Sequence, residues 1–95
     1  GSRWAINGPT SPTLLNYRST YTLTATSETN NAGVTAYDTP SSSSASSLTA
    51  GNVAIIEGII QPSANGTVIA RFASEISSSA IVAKAGAVCY YHQIA

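Results

Sequence analysis

The only histidine of the chain, His92, lies three residues after its only cysteine, Cys89. A Cys-His or Ser-His pair could supply a nucleophile and a base if the side chains met and a carboxylate oriented the imidazole. Because two strand residues three positions apart point to opposite faces, this spacing disfavours a dyad. We therefore expect no enzyme activity, with His92 packed at an interface. We expect Cys89 to be a small buried apolar side chain, with an intermolecular disulfide or a reactive thiol as the alternatives.

The carboxylates of the chain are widely spaced, and no group of them has the spacing of a metal-ligand set, so we expect no metal and no cofactor. Glu57 is unusual because it lies among isoleucines, where an unpaired buried carboxylate is strongly destabilising. If the segments on either side of residues 63–64 form a hairpin, Arg71 lies almost opposite Glu57. The spacing predicts a structural Glu57–Arg71 ion pair, with a ligand-binding carboxylate at Glu57 as the alternative.

Tyr37 and Asp38 place an aromatic ring beside an acid, next to the serine-rich segment 41–47. Tyrosine combines apolar area with a hydrogen-bonding hydroxyl, which suits recognition of a ligand or partner. We expect these two residues and the loops at 30–33 and 41–47 to carry any recognition, because binding residues are concentrated in loops. Packing of Tyr37 in the core or at its rim is the alternative.

Composition excludes several classes of partner. Charged residues are 8% of the chain, against about 25% in an average globular domain. Four basic and four acidic residues give a net charge of zero, so no basic patch is available for nucleic acid. Ser and Thr take the place of the charges, which is typical of extracellular and virion proteins. No apolar stretch is long enough for a membrane span, so none is expected.

Hydrophobic periodicity predicts an all-β fold. Apolar and polar residues alternate through 15–24, and an i, i+3, i+4, i+7 helical stripe is missing throughout. We expect a small antiparallel β-sandwich or jelly roll of about seven strands. The predicted strands are 4–6, 15–24, 34–38, 52–61, 66–74, 80–85 and 87–94. The polar segment 26–33 is predicted as a turn region, and Asn65-Gly66 as part of a hairpin loop.

Two pairs of adjacent isoleucines, at 55–56 and 59–60, make both faces of the predicted strand 52–61 apolar. Such a strand needs cover on both sides, and a chain of 95 residues has little with which to provide it. We therefore expect a homo-oligomer, with a trimer favoured. The expected interface residues are Ile55 and Ile59, together with Val88, Tyr90 and His92 on the last strand.

The opening Gly1-Ser2 resembles a scar left by tag removal, and no methionine is present. The expected domain organisation is a scar at 1–2 followed by a single β-sandwich domain at 3–95. The apolar end of the chain suggests that this domain is the C-terminal module of a longer protein.

The segment 57–75, which contains Arg71-Phe-Ala, and the segment 80–88, which contains Lys84-Ala-Gly, resemble C-terminal β-modules of tailed-bacteriophage structural proteins. These are fibre, tail or head-decoration proteins. Their modules are commonly jelly-roll trimers of TNF-like architecture that bind host glycans or decorate the virion. The resemblance implies a non-enzymatic structural module of the virion, with copies of itself, a host receptor glycan or another virion protein as partners. It implies no site residue. A monomeric carbohydrate-binding or adhesin domain is the alternative.

Overall fold

The computed structural model describes residues 2–24, 26–40 and 51–94. These residues contain five strands and no helix, so the predicted all-β class is confirmed. The strands form two antiparallel sheets, with the order β1–β5 in one and β3–β2–β4 in the other. Their bounds are Ser2–Asn7 (β1), Leu14–Thr22 (β2), Glu28–Val34 (β3), Ala54–Gln61 (β4) and Ile69–Ser74 (β5).

The central strand β2 supplies most of the core. Its alternate residues Leu15, Tyr17, Ser19 and Tyr21 are all buried, as the period-two alternation predicts. Leu15 and Tyr17 form a cluster with Val34 of β3. The cluster is completed by partly buried side chains from three other parts of the fold: Ile6, Tyr37, Ile56 and Ile60. Ile6 belongs to β1, so the two sheets meet at this cluster.

Strand β4 pairs with β2 and turns one stripe of side chains toward the core. Ile60 lies opposite Leu15, and Gly58 lies opposite Tyr17. A Cβ atom on Gly58 would come within 2.4 Å of the Asn16 carbonyl oxygen and 2.6 Å of the Tyr17 Cα atom. Because backbone cannot move aside as a flexible side chain can, the close approach of β2 and β4 requires glycine at this position.

The second sheet consists of β1 and β5. Trp4 lies opposite Phe72, and their rings stack with centroids 5.0 Å apart and an interplanar angle of 30°. Such cross-strand aromatic pairs stabilise antiparallel ladders beyond the area they bury.

The predicted hairpin between 52–61 and 66–74 is wrong, because β4 pairs with β2 and β5 pairs with β1. Ile56 and Ile60 of β4 face the same core cluster as β2, so this pairing covers the inward apolar stripe of β4. The intervening loop is fixed to the β1–β2 connection instead. The Thr13 amide donates to the Gln61 carbonyl at 2.8 Å, and the Ser63 hydroxyl donates to the Thr10 carbonyl at 2.9 Å.

Three other expectations for strands are corrected. The polar segment predicted as a turn is largely β3, and the Thr20 hydroxyl of β2 bonds the Asn30 side chain across the sheet at 2.8 Å. The predicted strand at 34–38 is a loop after Val34, where Asp38 has a left-handed φ of 53°. The predicted strands at 80–85 and 87–94 have no β-pairing within residues 80–94 as described. Five strands therefore replace the expected seven in the described part of the chain.

Candidate functional site

Exposed large apolar side chains are concentrated in one part of the chain. Twelve of the thirteen such residues in the described structure lie between positions 53 and 94, and only Leu14 precedes them. We call these twelve residues the apolar surface set. They are Val53, Ile55, Ile59, Val68, Ile69, Phe72, Ile76, Val82, Val88, Tyr90, Tyr91 and Ile94. Single exposed apolar residues are normal in monomers, whereas large contiguous apolar patches mark interaction surfaces.

The first part of the apolar surface set is the outer side of β4. Because the two isoleucine pairs alternate along the strand, Ile56 and Ile60 turn inward while Ile55 and Ile59 turn outward. Ile55 is 58% exposed and Ile59 is 41% exposed. The predicted interface residues of β4 are therefore uncovered in the single chain.

An ion pair lies between these two outward isoleucines. Glu57 lies opposite Arg18 of β2, and the two side chains form a salt bridge. The predicted Glu57–Arg71 pair is wrong, because β4 takes β2 rather than β5 as its neighbour. Arg71 pairs with Asp38 instead, at 2.7 Å. Both members of the Arg18–Glu57 pair are exposed, so the pair contributes little to the stability of a single chain.

The second part of the apolar surface set is the segment after β5. The predicted interface residues Val88, Tyr90 and His92 are all exposed, and Tyr90 is 90% exposed. Tyr91, which sequence reasoning left out of the interface, is 95% exposed. Cys89 is exposed as well, so the expectation of a buried thiol is wrong. No strand pairing within the described chain brings this segment to Ile55 and Ile59.

A cleft lies on the side of the β1–β5 sheet that carries Arg3 and Arg71, and its volume is about 470 Å³. Seven residues line it: Arg3, Ala5, Asp38, Pro40, Arg71, Phe72 and Ala73. Asp38 is fixed there by its backbone, because its amide donates to the Ile6 carbonyl at 3.0 Å. Its Oδ2 atom accepts hydrogen bonds from Asn7 Nδ2 at 2.6 Å and from the Arg71 guanidinium at 2.7 Å.

The two predicted recognition residues lie in different environments. Asp38 lines the cleft, whereas Tyr37 packs against the core cluster and donates its hydroxyl to the Pro9 carbonyl at 2.9 Å. The packing alternative therefore describes Tyr37. The serine-rich loop 41–47 lies outside the described residues. Sequence reasoning missed Arg3 and Arg71 as neighbours of Asp38, since no local pattern indicates that β1 and β5 pair.

The core close to the cleft contains one tyrosine with a perturbed pKa. Burial raises the pKa of the Tyr21 hydroxyl above its usual value, and the negative charge of Glu75 raises it further. A backbone hydrogen bond to Trp4 and the positive charge of Arg3 act in the opposite direction. Tyr21 therefore stays neutral in the folded chain to a higher pH than a free tyrosine does.

In the described residues, no group of three or more His, Cys, Asp and Glu side chains could hold a metal ion. The same residues contain no helix that is long and apolar enough to cross a membrane. Comparison with family models, with curated proteins and with solved structures finds no match to this chain. Inferences about function therefore depend on the geometry described above.

Proposed function

We propose that the chain is a non-enzymatic structural module that assembles with copies of itself through the apolar surface set, to form a homotrimer of small β-sandwich subunits. The observation that supports this proposal is the separation of buried and exposed apolar residues along the chain. Among the described residues, the buried apolar side chains all lie between Ala5 and Val34, whereas the apolar surface set lies between Val53 and Ile94. A second copy of the chain is always present at the same concentration as the chain, so it is an available partner for these exposed side chains.

The apolar surface set is spread over more than one part of the fold, on the outer side of β4, on β5 and on the segment after β5. In a cyclic trimer each subunit contributes two different faces, so such an assembly can cover more than one of these parts.

The Arg18–Glu57 pair makes the outer side of β4 suitable for burial. A lone carboxylate between Ile55 and Ile59 would oppose desolvation, but a paired one carries its counter-charge into the interface. The pair would also restrict the register in which two copies dock, since each charge must stay matched. The outer side of β4 thus combines apolar area with a neutral polar centre.

The resemblance to tailed-bacteriophage modules supports a place in the virion for this assembly. A trimeric module there would stabilise a fibre, tail or head-decoration protein and contact a host receptor or a neighbouring virion protein. The Ser- and Thr-rich composition, with few charges, agrees with exposure outside a cell.

Polar substitution on the outer side of β4 tests the proposal. The double variant Ile55→Thr, Ile59→Thr keeps β-branched side chains and so preserves strand propensity while it removes apolar contact area. The control is Ala32→Thr, an exposed position of β3 outside the apolar surface set. Light scattering after size exclusion should show the trimer for the control and a lower mass for the double variant.

Two results would contradict the proposal. An unmodified chain with a mass of 9.7 kDa at micromolar concentration would favour the alternative of a monomeric carbohydrate-binding or adhesin domain. Equal oligomer content in the double variant and the control would show that the outer side of β4 takes no part in assembly. Circular dichroism of both variants checks that the β-structure is retained.

A further inference from the structure

We infer that the cleft between Arg3, Asp38 and Arg71 is a binding site for a small hydroxy-carboxylate, that is, a monoanionic carboxylate that also carries hydroxyl groups. The inference is independent of self-assembly, because each side chain it uses belongs to one chain. It follows from the charge balance of the cleft, from the fixed position of Asp38 and from the cleft volume.

The cleft carries an excess positive charge. The charge of Arg71 is balanced by Asp38, with which it forms an ion pair at 2.7 Å. Arg3 lines the same cleft, and its guanidinium forms neither a hydrogen bond nor an ion pair with the described residues. Glu75 and Arg3 both affect the pKa of Tyr21, but Glu75 does not line the cleft. A guanidinium group binds a carboxylate through two parallel N–H donors, so Arg3 is suited to the anionic group of a ligand.

Asp38 supplies acceptors for the hydroxyl groups of that ligand. Its Oδ2 atom is held by Asn7 and Arg71, while Oδ1 has no bond to the described residues. Asp38 has a strained, left-handed backbone conformation with φ of 53°. The hydrogen bond from its backbone N–H to the Ile6 carbonyl stabilises this conformation. The carboxylate is thereby presented to the cleft in one orientation before any ligand arrives, which reduces the entropy lost on binding.

The size and the charges of the cleft limit the ligand class. The cleft has a volume of about 470 Å³ and is wide open to solvent, which suits a small polar ligand rather than a large apolar one. The negative charge of Asp38 disfavours a second negative charge nearby, which makes a doubly charged phosphate a poorer ligand than a carboxylate. A neutral polyol would leave Arg3 without an anionic partner. One carboxylate with adjacent hydroxyl groups satisfies both side chains.

Gluconate, sorbitol and inorganic phosphate are the probes that separate these chemistries. Gluconate and sorbitol carry similar hydroxyl chains, but only gluconate has a carboxylate. Titration of each into the full chain is followed by the chemical shifts of the backbone amides. We expect gluconate to shift the amides of Arg3, Asp38 and Arg71, and to bind at least about tenfold more tightly than sorbitol or phosphate.

Two variants that each remove one positive charge provide a matched comparison. Arg3→Gln removes the unpaired guanidinium of the cleft, whereas Lys84→Gln removes a positive charge from an exposed position outside both sheets. We expect gluconate affinity to fall about tenfold in Arg3→Gln and to change less than about twofold in Lys84→Gln. Asp38→Asn should strengthen phosphate binding relative to gluconate, because it removes the repulsive charge and releases Arg71.

Three results would overturn the inference. They are the absence of shifts in the cleft amides with gluconate, equal losses of affinity in Arg3→Gln and Lys84→Gln, and phosphate binding as tight as gluconate binding to the unmodified chain. Amide spectra of both variants show whether the fold is intact, so a misfolded variant cannot be mistaken for a loss of the site.

Discussion

Residues 2–40 and residues 51–94 use apolar side chains in opposite ways. In the first region, alternate residues of β2 are buried and form the core with Val34 of β3. In the second region, the described structure has no fully buried residue, although β4 and β5 are regular strands. The second region therefore forms strands, but its residues are at most partly buried.

The two isoleucine pairs of β4 show how this difference arises. Ile56 and Ile60 pack against the cluster formed by the first region, whereas Ile55 and Ile59 have no cover. All four residues are isoleucines, so the difference in their exposure comes from the side of the sheet on which each one lies. Only one side of the sheet is covered by a second layer. The first region therefore covers one face of β4 and leaves the other face exposed in the single chain.

The largest expected effect is at Gly58, where the two regions come closest. Gly58→Ala places a methyl group within 2.4 Å of the Asn16 carbonyl oxygen, so β4 must separate from β2. We expect the free energy of unfolding to fall by about 4 kcal/mol, in the range of severe backbone clashes. Urea denaturation followed by circular dichroism measures this, with the exposed Ala32→Val as a control. A loss below about 1 kcal/mol would show that β4 is not paired closely with β2.

A smaller effect distinguishes the two faces of β4. Ile56→Thr should lower the stability of the isolated chain by about 2 kcal/mol, because it loses partly buried apolar area and introduces a hydroxyl at the core. Ile55→Thr, which makes the same chemical change on the other face, should cost less than about 0.5 kcal/mol when measured below the assembly concentration. Urea midpoints at nanomolar protein concentration test both. Equal losses of stability in the two variants would show that the two faces of β4 do not differ in burial.

The smallest effect is a pH dependence that belongs to the first region. The pKa of Tyr21 is raised above its usual value by burial and by the negative charge of Glu75. The unfolded chain therefore releases this proton first as the pH rises, so stability is fully present below about pH 10 and is lost above it. Urea denaturation from pH 8 to pH 11 should show a steeper decline for the unmodified chain than for Tyr21→Phe.

Tyr91→Phe is the matched control for this titration, since it makes the same chemical change at an exposed position. A decline that is the same in the unmodified chain, in Tyr21→Phe and in Tyr91→Phe would show that Tyr21 does not contribute to it.

Features set by local periodicity could be predicted from the sequence. The alternation in β2 predicts its buried residues, and the doubled isoleucines predict that β4 has two apolar faces. Pairing between distant segments could not be predicted in this way. The hairpin rule assigned the segment at 66–74 to β4, and the Glu57–Arg71 pair failed with it, because the actual neighbours β2 and β1 lie far away in the sequence.

Two further failures have other physical causes. Strand β3 is rich in Asn and Thr, which favour turns locally, but side-chain hydrogen bonding to β2 outweighs that preference. The segment 80–94 has apolar residues suited to strands, yet strand propensity alone does not provide a neighbouring edge. The cleft residues Arg3, Asp38 and Arg71 are brought together only by the β1–β5 register and by the loop that carries Asp38.

Sedimentation equilibrium of the unmodified chain over a range of micromolar concentrations measures whether copies of the chain cover the apolar surface set. We expect a mass of three times 9.7 kDa, with dissociation at lower concentration. A mass of 9.7 kDa at every concentration would contradict it.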